Sequence, residues 1–135
     1  MVDKETYDFS CWVIKYEHSR YYDRTYKKDS LVINRERIVP LCWNHDHNNP
    51  DSVLGWALLE HRDDGIYAYC TLFDIPINET TRQLLKDKGS VALSPYINRI
   101  EYEGKIIVYG VIREVSLVLE RIDKDEIYYP VLREE

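Results

Sequence analysis

A mainly β (α+β) fold, a small antiparallel β-barrel with one or two packed helices, is expected from three features of this chain. Most of the chain reads as strands, rich in β-formers and alternating aromatic and polar residues over 7–17. Asp64-Gly65 and Glu103-Gly104 stand between such runs as tight-turn signals. One segment alone, 78–88, joins capping residues to paired leucines and a following glycine. The 135 residues suffice for a single domain, 1–135. Such a domain buries roughly two-thirds of its unfolded surface and needs neither metal nor disulfide for stability.

Residues 7–17 alternate around Phe9, Cys11 and Val13 and read as the first strand. Residues 18–35 are polar and rich in Tyr and charge, and read as a long loop holding a short element at Leu31-Val32-Ile33. Residues 38–43 are a compact apolar strand. It runs into Asn44-His45-Asp46-His47-Asn48-Asn49-Pro50, which is turn chemistry almost throughout. Residues 52–61 and 66–73 are the arms of the Asp64-Gly65 hairpin, and Pro76 ends the second arm. Asn78 or Thr80 can cap a helix through Lys88, with Leu84 and Leu85 facing inward and Gly89 as its stop. Residues 91–102 and 105–119 are long strands joined by Glu103-Gly104, and 127–132 is a last short strand.

Composition excludes several function classes. The net charge of −6 argues against a general nucleic-acid binder, which shows a basic face, and the basic run 24–28 reads as a solvated loop. No apolar stretch approaches the roughly 18 residues of a membrane span, and the polar N-terminus lacks a signal core. Cys11, Cys42 and Cys70 are odd in number and sit in apolar runs, as expected of buried free thiols in a reducing cytosol. The 12 Tyr and 3 Trp against 2 Phe suit half-buried sheet faces and contact surfaces.

Three distant segments carry the side chains a nucleophilic hydrolase needs: Trp43-Asn44-His45-Asp46, Val91-Ala92-Leu93-Ser94 and Arg113-Glu114-Val115-Ser116-Leu117. A serine hydroxyl is a poor nucleophile until a base takes its proton, and that base works best when a third group orients it. His45 ends an apolar strand, a rigid place from which to present an imidazole; it is otherwise a loop histidine without a role. Ser94 precedes Pro95, which restricts its backbone to extended geometry and offers no N–H, so oxyanion donors must come from other amides. The alternative is a strand serine bonded to the backbone. Glu114 shares a strand face with Ile112 and Ser116; either it orients a histidine or it faces solvent beside an arginine. His45 and His47, at i and i+2, could bind a metal with Cys42 or Asp46, but no second ligand cluster completes such a site, and neither a metal nor another cofactor is implied.

Taken together, these segments resemble the tailed-phage prohead (capsid maturation) protease family, which is similar in fold to the herpesvirus assembly proteases. Tyr7-Asp8-Phe9-Ser10 with Trp12 resembles the family's first strand. Ile38-Val39-Pro40-Leu41 leading to His45 resembles its histidine segment, Leu93-Ser94 its nucleophile segment, and the run from Gly110 to Val118 its closing strand with the acidic partner. Cys11 stands where members commonly carry Gly, and Asp23 is followed by Arg24 rather than Gly. The resemblance implies a serine endopeptidase of phage head morphogenesis, with Ser94, His45 and Glu114 catalytic. Its substrates would be scaffolding and major capsid protein, met in the host cytoplasm within or on the phage head, with self-association possible and no nucleic-acid or membrane partner. The alternative is a protease-fold protein without a catalytic role, retained as a structural or decoration component of the capsid. For that role Tyr21, Tyr22, Tyr26, Tyr128 and Tyr129 are the candidate contact anchors.

Overall fold

The computed structural model describes residues 5–17, 19–20, 24–46, 48–87, 91–119 and 128–133. Among the described residues, ten strands and one helix follow in the order β1 (Phe9–Lys15), β2 (Ser19–Arg20), β3 (Arg24–Tyr26), β4 (Leu31–Val32), β5 (Ile38–Trp43), β6 (Val53–Arg62), β7 (Gly65–Leu72), α1 (Ile77–Lys86), β8 (Val91–Glu103), β9 (Ile106–Leu119) and β10 (Val131–Leu132). A 3-10 turn, Pro50–Ser52, leads into β6. The described residues are mainly β with one helix, and their sheet curls into a half-barrel.

The expected hairpins are present. β6 and β7 pair antiparallel around Asp63-Asp64, and β8 and β9 pair around the turn at Gly104, whose φ of +63° suits glycine. The sheet is mixed, however, rather than antiparallel throughout. One edge of β9 is met by β3 at Ile106 and Ile107, by β4 at Gly110 and Val111, and by β5 at Val115 to Leu117, all parallel. The segment read from sequence as a loop with a short element at Leu31-Val32-Ile33 supplies three short strands: β4 at that element, and β2 and β3 before it, where none was expected. The pairing of β3 and β4 with β9 is long-range and leaves no mark on local composition. Strand order runs β10-β1-β7-β6-β5-β9-β3-β2, with β8 on the other side of β9. The C-terminal segment narrows the gap between the sheet's two sides: β10 pairs with β1, and the Leu93 N–H donates to the Tyr128 carbonyl at 3.2 Å.

The core fills the curl. Phe9, Leu41, Leu59, Ile66, Ile107 and Leu117 are each essentially inaccessible to solvent. The three cysteines are buried and none is in a disulfide. Two of the candidate anchor tyrosines belong to this interior economy rather than to the surface. Tyr26 is buried in the core, and Tyr128 packs against it with the Lys15 ammonium 5.9 Å from its ring centre. Tyr129 is exposed, whereas Tyr21 and Tyr22 lie outside the described residues.

The helix begins and is held differently from the expectation. Pro76 is its N-terminal boundary, without a side-chain cap, and Thr80 lies within it. Asn78 is buried, and its amide donates to the carbonyls of Leu54 (2.9 Å) and Phe73 (2.8 Å). A side chain suited to capping instead ties α1 to β6 and to the end of β7, as a second donor to carbonyls that also accept from the Phe73 and Ile75 N–H groups. Leu85 faces the core and Leu84 packs at its edge, as expected; the helix ends at Lys86, and Gly89 lies outside the described residues. Asn78→Ala removes both hydrogen bonds, although each carbonyl keeps a backbone donor, and is expected to destabilise the protein by about 2 kcal/mol in urea unfolding. A loss under ~1 kcal/mol would mean the amide is not what anchors α1.

Candidate active site

Three strands deliver the site. β5 and β9 run parallel with Cys42 opposite Ser116 and Trp43 opposite Leu117. The ladder continues one step as the Asn44 N–H donates to the Leu117 carbonyl at 3.0 Å. The chain then turns sharply: Asn44 and His45 both adopt left-handed backbone, φ 60° and 59°, and the Asp46 N–H closes the turn on the Trp43 carbonyl at 3.2 Å. Left-handed geometry is common for Asn and costly for most other residues, and such strain gathers at functional sites. It is held in place here because the His45 N–H donates to Ser116 Oγ at 3.0 Å.

The turn brings the imidazole between the other two candidate residues. His45 Nδ1 lies 2.8 Å from Glu114 Oε1, and His45 Nε2 lies 3.1 Å from Ser94 Oγ. All three predicted site residues therefore converge. Glu114 is 2% exposed, so the solvent-facing alternative does not apply, and its Oε1 meets His45. Ser94 is buried at 9% exposure, while the His45 side chain is 33% exposed and forms the open side of the cluster.

Two supporting groups were not anticipated. Ser116 Oγ donates to Glu114 Oε1 at 2.9 Å while accepting from the His45 N–H, so one hydroxyl fixes both the carboxylate and the strained turn. The Cys42 thiol also stands against the carboxylate. Burial, with the negative Glu114 beside it, pushes that thiol up to about 12, so it stays protonated and is no competing nucleophile. Period two, which puts Ser116 on the face of Glu114, is the signal that points to the serine; nothing local points to Cys42, which arrives through the parallel β5–β9 register.

The electrostatics set the protonation pattern. Burial alone would raise the Glu114 carboxyl, but hydrogen bonds from His45 and Ser116, attraction to the imidazole and the Cys42 thiol outweigh it and hold the group below the usual carboxylate range. An ionised carboxylate only accepts, so His45 carries its proton on Nδ1 and offers the Nε2 lone pair to the Ser94 hydroxyl. That is the arrangement in which a base can activate a serine.

A carboxyl held low in the folded state adds stability above its unfolded pKa of about 4.3, and that stability is lost as pH falls through the folded value. Ser116→Ala removes one of the hydrogen bonds that hold it low. The variant is expected to be about 1–2 kcal/mol less stable than the parent near pH 7. The gap should narrow below about pH 4 as Glu114 protonates in both proteins. Urea unfolding at the two pH values measures it, and a gap independent of pH would mean Ser116 does not support the carboxylate.

On its outer side His45 borders a cleft of about 780 Å³ between the 44–52 turn, β6 and α1. Ser94 is not part of its lining. His47 lies outside the described residues, and among those described no group of three or more His, Cys, Asp or Glu side chains is arranged to hold a metal. Among the described residues no helix is long and apolar enough to cross a membrane. Comparison of the chain with family models, with curated proteins and with solved structures finds no match.

Proposed function

We propose that this protein is a serine endopeptidase of phage head morphogenesis that cleaves scaffolding or capsid protein during prohead maturation. The observation that supports the peptidase chemistry is the relay in which His45 bridges Ser94 and the buried Glu114 at 3.1 and 2.8 Å. The phage assignment rests on the resemblance of the histidine, nucleophile and closing-strand segments. In this reading Ser94 Oγ attacks the peptide carbonyl while its proton passes to His45 Nε2. Glu114 stabilises the imidazolium that forms. The C–N bond then breaks, His45 returns the proton to the leaving amine, and the acyl group remains on Ser94. A water deprotonated by His45 releases the acid and restores the hydroxyl.

A fluorophosphonate probe tests this directly. It is expected to label the protein at Ser94 and nowhere else, with labelling lost in His45→Ala. A folded protein that is not labelled would reject the peptidase and favour the second reading, a capsid component without catalysis. For that reading the relevant surface is the β8–β9 hairpin, where Tyr96, Tyr102, Ile106 and Tyr109 are exposed.

A further inference from the structure

The cleft beside His45 is not needed to build the catalytic relay, and its position and lining carry a specific meaning. A general acid hands its proton to the leaving amine, so the chain departing after the scissile bond passes the histidine side of the site. The cleft touches His45 and not Ser94, which puts it on that departing side. Its volume of about 780 Å³ is that of a ligand pocket. Its walls are apolar, from Trp43, Leu54, Ile77 and Leu84, while Asp46 and Asp51 contribute carboxylates at an exposed rim.

No Lys or Arg lines it, and among the described residues neither aspartate has a basic partner. Asp46 is held in position instead: Asn49 Nδ2 donates to its carboxylate at 3.2 Å, and Ser52 Oγ donates to its carbonyl. An apolar wall with an indole, opening onto two carboxylates, complements a side chain with a methylene stem and a cationic head. A guanidinium fits best, since it stacks on aromatic rings and pairs with carboxylates. Resting on the serine-peptidase reading, we infer that this cleft is the subsite for a basic side chain, arginine above all, carried by the substrate on the leaving-group side of the scissile bond.

The test needs no knowledge of the natural substrate. p-Nitrophenyl acetate acylates Ser94 and releases nitrophenol. An added amine occupying the leaving-group side then attacks the acyl carbonyl, loses its proton to His45, forms the acetyl amide and restores the serine. The amines are argininamide and citrullinamide, of equal shape but with and without charge, and mass spectrometry counts the acetylated products. The arginine amide is expected to capture the acetyl group roughly tenfold more efficiently, as befits rim charges partly screened by water. The preference should collapse in a folded Asp46→Asn/Asp51→Asn variant and in 1 M salt. Equal capture of the two amides by the parent protein, or a preference that survives in the double variant, overturns the inference while the peptidase reading stands. Failure of Ser94 to acylate at all, with no fluorophosphonate labelling, rejects both.

Discussion

Ser94→Ala is expected to lower peptide cleavage by at least roughly 10⁴-fold, with residual activity coming only from binding and positioning. The hydroxyl is the only group in the relay that can take the acyl chain: the Cys42 thiol next to Glu114 is held protonated, and His45 Nε2 faces Ser94 Oγ itself. The fold should survive. The change removes one small polar atom from a β8 position at 9% exposure, and the lost hydrogen bond to an already half-open imidazole costs about 1 kcal/mol. Turnover of a capsid or scaffold peptide, followed together with circular dichroism, separates the two effects. Equal proteolysis by parent and variant would assign the activity to a contaminant or to another nucleophile.

Glu114→Gln is expected to be nearly as severe, about 10³–10⁴-fold in kcat, with a smaller effect on KM. The carboxylate accepts from both His45 Nδ1 and Ser116 Oγ. A carboxamide at the same place can turn its NH₂ toward Nδ1, which shifts the histidine proton to Nε2. The imidazole then has no lone pair for the Ser94 hydroxyl, and the imidazolium that forms in the reaction lacks its counter-charge. Because the substitution is close to isosteric, thermal stability should change much less than activity. A kcat within tenfold of the parent would show that Glu114 supports the fold but not the base.

Much of this was legible in one dimension. Alternation around Phe9, Cys11 and Val13, the Asp64-Gly65 and Glu103-Gly104 turns, and the paired Leu84-Leu85 are local patterns, and local patterns report strands, hairpins and a helix. The residue types of the site were legible for the same reason: His45 ends a strand, Ser94 precedes Pro95, and Glu114 interrupts an apolar run. The helix start was misread because the buried Asn78 amide joins α1 to Leu54 and Phe73, contacts that only packing creates.

The convergence of the three residues belongs to tertiary structure. Continuing the β8–β9 register from Glu103 and Ile106 would set Ser94 opposite Val115. Irregularities near Tyr96, Asn98 and Glu101 set it opposite Ser116 instead, which places it on the face of Glu114. A one-residue difference in register decides between the two faces of a sheet, and no turn dipeptide encodes bulges that far away. The parallel contact of β5 with β9 and the left-handed turn at Asn44 and His45 are likewise set by pairings across more than 50 residues, and the cleft by the packing of α1 against β6. A sequence window reports which side chains a segment presents. Which segments meet is decided by burying one shared core, and that is a property of the whole chain.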